Sequence, residues 1–447
     1  MDDAAPIAAI STPPGLGGIG VIRISGEGAL AIGDRLAGPS AKRPSRVPAN
    51  TFFHAPVIHP VSGKKIDDAL FLIFHAPHSY TGEETLEIQG HGGAQQPQRI
   101  LEAVLAAGAR LARAGEFSQR AFLNGRMDLT QAEAVCDLIH AKSERAAQSA
   151  RAQLDGALGE AFRGVYEELV NLSADVEHLL DFDEGELPDD FLEQARHRLG
   201  GVLRQVNRLA ETRQEGQLLR EGALVVISGK PNAGKSSLMN ALLRQNRAIV
   251  NARPGTTRDA IEESCLLQGI AVRLVDTAGL RETEDEIERE GIDRARQWIR
   301  QADLNLYLID QTQPESVPMD HFPDPSRLLV VYTKRDLMPR IEWPALSISA
   351  ETGEGMPELK AEMIKKLGLS QATGGGAAAI SLRHAEELSL ACEQCGKADM
   401  QLALGAAGLV FSAMHLKAAC EAIGRILGRV YSDDLLDRVF SRFCVGK

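Results

Sequence analysis

Cysteine is scarce in this sequence, and so are long apolar runs and positive charge. Each shortage removes a class of protein. Six cysteines in 447 residues are too few for a disulfide framework. No apolar run approaches the length of a membrane span, and the N-terminus lacks a basic-then-apolar leader, so a cytoplasmic protein with no membrane contact is expected. Lys and Arg number 49 against 61 Asp and Glu, for a net charge of −12. That balance argues against a broad electrostatic grip on nucleic acid, although a local basic patch is compatible with it. The rest, 44% hydrophobic and 25% charged, is ordinary globular composition in a chain long enough for about three domains.

What is present is organised around Gly229-Lys230-Pro231-Asn232-Ala233-Gly234-Lys235-Ser236, two glycines four residues apart followed by Lys-Ser. The apolar run 223–228 before it reads as a buried parallel strand, and Ser237 onward reads as a helix start. In that setting backbone N–H groups of Asn232, Ala233, Gly234, Lys235, Ser236 and Ser237 face a polyphosphate at a helix N-terminus. Lys235 is placed to reach the β- and γ-phosphates, and Ser236 to ligate Mg²⁺.

Before this stretch, residues 1 to about 120 alternate short strands (7–10, 21–24, 51–58, 68–74) with a helix near 96–107, an α+β pattern. Arg23 is a lone charge in an apolar strand, suited either to an internal pair or to a bound carboxylate. In Leu86-Glu87-Ile88-Gln89-Gly90-His91-Gly92-Gly93, Glu87 interrupts a strand and the glycines permit close backbone approach. His91 reads equally well as structural or catalytic. From Ser118 helical spacing takes over, with helices expected at 131–141, 143–155, 162–180 and 191–219, and an acidic turn at 181–186. The small-residue run 372–379 reads as a linker, after which helices resume. Cys392 and Cys395 have redox or metal spacing, but no second pair or histidine accompanies them, so they read as helix-face cysteines. Cys444 lies fourth from the end, yet the final Lys447 does not suit lipidation. The economical layout is a nucleotide domain inserted into a helical domain, with boundaries at 1–120, 121–218, 219–372 and 373–447.

Within the third segment the remaining motifs fall in order. Thr257, in Gly255-Thr256-Thr257, is a second hydroxyl for Mg²⁺. Strand 272–275 ends in Asp276-Thr277-Ala278-Gly279, where Asp276 holds Mg²⁺ through water and the Gly279 N–H meets the γ-phosphate. Strand 328–332 ends in Thr333-Lys334-Arg335-Asp336, and Asp336 accepts the two hydrogen bonds that guanine offers and adenine lacks. Ser349 and Ala350 close the base pocket. Together these pieces specify a GTPase. Leu280 stands where many GTPases carry a water-orienting Gln, so catalysis falls to another group, with Glu288 the candidate. Thr333 replaces the usual Asn, which predicts slightly looser nucleotide binding.

These residues resemble the MnmE (TrmE) family of tRNA-modification GTPases over essentially the whole chain. The resemblance rests on Thr12-Pro13-Pro14-Gly15 with Gly17 through Gly26, on Glu87 through Gly93, and on Gly115-Glu116-Phe117-Ser118 with Arg120 through Gly125. It rests also on the GTPase motifs and the tail Asp434 through Lys447. It implies an N-terminal tetrahydrofolate-binding and homodimerising domain, a helical domain, and a Ras-like, mostly parallel G domain inserted into it. Arg23, Glu87, Arg126 (usually Lys) and Lys447 fall on the folate-contacting positions, and 5-formyl- or methylene-tetrahydrofolate is the implied ligand. Asn232 and Thr256, with carbonyls near Asn251 and Arg253, fall on a K⁺ site. Glu288 matches the water-orienting glutamate, and Cys444 a candidate reactive thiol near the folate. The implied activity, with the flavoprotein MnmG in a heterotetramer, is addition of a carboxymethylaminomethyl or aminomethyl group to carbon 5 of the wobble uridine of certain tRNAs, with GTP, Mg²⁺ and K⁺ as cofactors. A GTP-switched RNA-binding or ribosome-assembly factor, and a folate enzyme with a merely regulatory G domain, are the alternatives. The first needs a basic RNA-binding segment after the G domain, and the second a self-sufficient catalytic set in the N-terminal block.

Overall fold

Four β-branched residues among seven, Ile19, Val21, Ile22 and Ile24, favour the strand Ile19–Ser25 on which the N-terminal sheet is built. The molecule was analysed as a computed structural model that describes residues 5–39, 41–180, 190–245, 262–276, 295–337, 346–368 and 380–447. Contacts divide it into two units, residues 1–136 with 424–447, and residues 137–423.

In the first unit β1 (Ile7–Ile10), β2 (Ile19–Ser25), β3 (Thr51–Ile58), β4 (Lys65–Phe74), β5 (Thr85–His91) and β6 (Arg110–Leu111) make one sheet in the order β3-β4-β5-β2-β1-β6. Only β1 and β6 pair in parallel. The two-residue period sends Ile22, Ile24, Phe71, Ile73, Leu86 and Ile88 to one face, where all are fully buried. Helices α1 (Ala29–Leu36) and α2 (Gln96–Ala106) cover that face. The strand does not break at Glu87, as the sequence reading has it, because Glu87 sits opposite Arg23 in the β2–β5 ladder and the two charges satisfy one another. On the other face Ile7, Ala9, Ala112 and Phe117 form a smaller cluster. Helix α3 (Glu116–Leu123) packs on the C-terminal helix Asp433–Phe440 through Phe122 and Phe440, whose rings lie 6.4 Å apart. The tail then runs back to the sheet. Val445 bridges Ala114, and Ser11 donates its hydroxyl to the Gly446 carbonyl at 3.2 Å.

The second unit carries the other sheet. It comprises β7 (Ala223–Gly229), β8 (Glu262–Leu267), β9 (Ile270–Asp276), β10 (Leu304–Asp310) and β11 (Leu328–Thr333), in the order β11-β10-β7-β9-β8. All pairs are parallel except β8–β9. Central β7 is buried on both faces, as its continuous apolar run requires. Helix α4 (Leu129–His140) runs across the division between the units, and the helical part of the second includes α5 (Glu144–Leu154), α6 (Ala157–Leu179), α7 (Phe191–Glu211) and α8 (Arg213–Glu221), which precede the sheet in the chain. Helix Leu382–Leu402 follows it and returns to α7, where Arg196 pairs with Asp399 at 2.8 Å. The single helix expected over 191–219 is two, because the Thr212 hydroxyl donates to the Leu209 carbonyl at 2.7 Å and competes with the helical ladder.

One stretch, Gly405–Leu427, corrects the expectation that no apolar run reaches membrane length. Among the described residues it alone passes by length and composition, with 44% of its window buried. Leu416, Ala419, Ala422, Ile423 and Ile426 on it are fully buried, so its apolar side serves the core. Cys395 is also fully buried, and burial pushes its thiol up to about 12, far from a reactive thiolate.

Candidate functional site

β7 delivers the chain into a turn, and α9 (Lys235–Gln245) leaves it. Asn232 takes a left-handed φ of 64° in this turn, which helps turn successive N–H groups to one side. The turn opens on a cleft of about 870 Å³ lined by Lys230, Asn232, Lys235, Ser236, Tyr307 and Lys334 among others. Lys235 is buried, and its Nζ donates to the carbonyls of Gly229 (2.9 Å) and Lys230 (2.7 Å), which fixes the ammonium inside the loop. Ser236 Oγ donates to Asp276 Oδ2 at 3.0 Å, so a hydroxyl and a buried carboxylate meet at the C-terminal ends of two parallel strands. Such a pair of hard oxygen donors suits Mg²⁺. Two residues that carry no motif brace the loop from outside. Lys230 pairs with Glu315, and Tyr307 donates its hydroxyl to the same carboxylate at 3.0 Å. Burial and the Glu315 charge push the Tyr307 hydroxyl up to about 12, so it stays a donor.

The residues expected to recognise the base gather where β11 ends. The Thr333 hydroxyl donates to the Ala233 carbonyl at 2.8 Å, and Lys334 turns with φ 62° and pairs with Asp310 at 2.6 Å. Asp336 is exposed on the turn Arg335–Leu337. The segment with Ser349 and Ala350 is laced to this end of the strand, since Ile348 N donates to Tyr332 O at 2.7 Å and Arg335 N to Ile348 O at 3.1 Å. Ser349 Oγ accepts from Thr352 N at 3.1 Å.

The first unit holds a second constellation. Arg23 Nε and Nη2 both donate to Glu87 Oε1, at 2.9 and 2.8 Å. The third guanidinium nitrogen, Nη1, is buried and has no hydrogen-bond partner. Tyr80 and Phe117 flank the guanidinium at 5.3 and 5.8 Å from their ring centroids. The Tyr80 hydroxyl is bonded to Ser118 Oγ at 2.7 Å, and burial raises its pKa. Lys447 lies half-buried close enough to feel both charges. Burial and the Arg23 charge lower its pKa, while Glu87 opposes them. A second cation thus stands near the Arg23–Glu87 pair, and a buried donor without a partner suits a polar, anionic ligand.

The family described as the GTP-binding protein TrmE N-terminus matches residues 6–126, and the family described as the MnmE helical domain matches residues 129–444. A protein of Symbiobacterium thermophilum named tRNA modification GTPase MnmE is 42% identical to this chain, over 99% of each. Proteins of the same name from Thermus thermophilus (42% identical, 99% of each chain) and Neisseria meningitidis (41%, all of each chain) match similarly. The chain belongs to the MnmE family.

In this MnmE-family chain the structure brings Asn232, Ala233, Gly234, Lys235, Ser236, Ser237 and Asp276 to one cleft, with Thr333 and Lys334 beside them. Asn251, Arg253, Thr256, Thr257, Thr277, Ala278, Gly279, Leu280 and Glu288 lie outside the described residues. Arg23, Glu87 and Lys447 stand together, whereas Arg126 is exposed with its stem against the Gly82 turn. Cys444 is exposed, and its carbonyl accepts from Lys447 N at 3.4 Å. Sequence reasoning missed Glu315, Tyr80 and the partner of His91, which is Asp67. None of the three carries a local signature. Their partners are brought by the sheet.

Proposed function

We propose that this chain is a GTP-hydrolysing tRNA-modification enzyme that, with the flavoprotein MnmG, adds an aminomethyl or carboxymethylaminomethyl group to carbon 5 of a wobble uridine. The observation that carries the reading is the pairing of two built sites in one MnmE-family chain, the Lys235–Ser236–Asp276 cleft and the Arg23–Glu87–Lys447 cradle. Its layout is a folate-binding and dimerising domain at 1–120, helical segments at 121–218 and 373–447, and a G domain at 219–372. The working assembly is a cytoplasmic homodimer that joins MnmG in a heterotetramer and acts on tRNA without a membrane.

In the G domain, Lys235 with the loop amides holds the phosphates. Ser236, Thr257 and Asp276 would hold Mg²⁺, a fit supported by the 3.0 Å contact of Ser236 with Asp276. Asn232, Thr256 and the carbonyls of Asn251 and Arg253 would hold K⁺. Of these Asn232 alone is described, and its left-handed turn sets its side chain at the phosphate loop. Bound cations there offset charge that builds on the phosphates in the transition state. Glu288 orients the attacking water. Thr277, Ala278 and Gly279 follow the γ-phosphate, and Asp336 with Ser349 and Ala350 selects guanine.

In the N-terminal domain the orphaned Arg23 Nη1 fits a reduced folate, in 5-formyl or methylene form, with Glu87, Lys447 and Arg126 as further contacts and Cys444 as a nearby thiol. When bound, methylene-folate supplies the transferred carbon. Arg23 and Glu87 bind and orient it, and the Tyr80 and Phe117 rings exclude water. The test is mass spectrometry of tRNA nucleosides from cells with and without the gene. Loss of 5-aminomethyl-type wobble uridines is expected. An unchanged profile would overturn the modification reading and leave a GTP-switched RNA-binding factor.

A further inference from the structure

Thr333 ends β11 between two parts of the nucleotide cleft. On one side it meets the glycine-rich turn. Its hydroxyl bonds the Ala233 carbonyl, and a methyl group on Gly234 would lie 3.8 Å from its side chain. On the other side, three residues on, Asp336 lies on the turn Arg335–Leu337. A guanine nucleotide laid from the loop to Asp336 has a fixed order of atoms. The N1–H and 2-amino group face the carboxylate. The five-membered ring carries the sugar and phosphates, so it lies at the end nearer the loop, and its N7 is a bare acceptor. Position 333 belongs to that end.

Reading an acceptor takes a donor. The asparagine usual at this position has two amide hydrogens, enough to bond the loop and a base together. Threonine has one. Two backbone carbonyls already compete for it, Ala233 at 2.8 Å and Ile309 at 3.3 Å. Thr333, Ala233 and Ile309 are all buried, so a hydroxyl turned toward a base gives up a bond inside the fold to make another. The side chains on either hand are directed elsewhere. Lys334 turns with φ 62° and carries its ammonium to Asp310 at 2.6 Å. Gln311, whose backbone N–H donates to the Thr333 carbonyl at 3.3 Å, gives its side-chain nitrogen to the Ser347 hydroxyl.

We propose that Thr333 leaves N7 of the purine unread, so that this chain accepts 7-deazaguanine nucleotides as readily as guanine nucleotides. The inference rests on the placement of Asp336 given above and deepens it. Selection then falls on the N1–H and 2-amino edge, and the ligand class is a purine nucleoside di- or triphosphate that keeps that edge, with either nitrogen or C–H at position 7.

The test is competition binding to the full-length protein with Mg²⁺, using GDP, 7-deazaguanosine diphosphate and inosine diphosphate. The second has C–H in place of N7, and the third lacks the 2-amino group. Wild type should bind GDP and the 7-deaza analogue within about twofold of one another, and inosine diphosphate on the order of tenfold more weakly. That comparison needs no variant. Thr333→Asn adds the second donor hydrogen and should bind GDP roughly fivefold more tightly than the 7-deaza analogue. A wild-type loss of fivefold or more on the 7-deaza analogue would mean that N7 is read, and would overturn the inference. Thr333→Asn binding the two alike would place N7 away from position 333 and overturn it too. Equal wild-type binding of GDP and inosine diphosphate would remove Asp336 from the base, and the inference would fall with that placement.

Discussion

The hydroxyl of Thr333 donates to the carbonyl of Ala233 at 2.8 Å, and so fastens the end of β11, next to Lys334 and Asp336, to the glycine-rich turn before α9. Thr333 is 3% exposed, and without it the Ala233 carbonyl loses that bond inside the fold. Leaving one such buried acceptor unpaired costs about 1–3 kcal/mol. Thr333→Val should therefore raise the dissociation constants of GDP and GTP together, by roughly tenfold. Fluorescent-nucleotide titration checks this. Weakening of GTP alone would mean that the bond serves the γ-phosphate end instead.

The proposed cation and water-orienting groups make a paired kinetic prediction. GTP hydrolysis should run faster in K⁺ than in Na⁺ at equal ionic strength, and equal rates would remove the K⁺ site. Glu288→Ala should slow turnover by on the order of a hundredfold while leaving GTP affinity nearly unchanged. A large affinity loss instead would make Glu288 a structural residue.

Glu116 sets an acid limit on the N-terminal unit. Burial pushes its carboxyl up, but Arg110 at 2.9 Å, the Arg113 amide at 2.8 Å and the Arg120 charge outweigh burial and hold it below its ordinary value. The folded carboxyl therefore titrates below the unfolded one. Its stabilisation is complete above the ordinary glutamate value, about 4.3, and is lost as pH falls through the lowered folded value. Glu116→Gln should cost roughly 3 kcal/mol at neutral pH, because it strands buried partners, and should flatten the loss of stability on acidification. Circular dichroism melts from neutral to acid pH measure both effects. An unaltered acid slope would show that another carboxylate governs it.

Gly446 holds the tail at the sheet. Its φ is 101°, and a methyl group there would come within 2.6 Å of the Ile10 carbonyl. Gly446→Ala should lift the tail and with it Lys447, weakening 5-formyltetrahydrofolate by about tenfold on strain of ~1–3 kcal/mol. GTP hydrolysis by the same variant should match wild type. Unchanged folate binding would remove Lys447 from the cradle.

Much of this was legible in the sequence where cause and effect are local. The phosphate loop is a strand, a turn and a helix in succession, so the motif and its setting are read together. Thr333 is legible as a substitution that exchanges an amide for a hydroxyl, but that this hydroxyl reaches the Ala233 carbonyl is a fact of the fold. Helix α1 is absent from the reading of the sequence, and Gly33 in its middle lowers its helix propensity. In the fold that glycine is a point of close approach, where a methyl group would meet Leu86 at 2.5 Å. Of the charges that pair across strands, the sequence offers only an internal pair as one option for Arg23 and no partner for His91. Arg23 and Glu87 are 64 residues apart, and Asp67 and His91 are 24 apart, so only the sheet register joins them.

The division of the first unit between residues 1–136 and 424–447 sets an order of events during synthesis. Strand β1 and helix α3 emerge from the ribosome early, but the helix and tail that pack on them come only after residues 137–423. At about 5–20 residues per second that delay is on the order of tens of seconds, during which the Phe122 side of α3 lacks its partner. The unit at the N-terminus is thus completed last, and a truncation or stalled chain that loses residues 424–447 loses Lys447 from beside Arg23 and Glu87 together with the final helix.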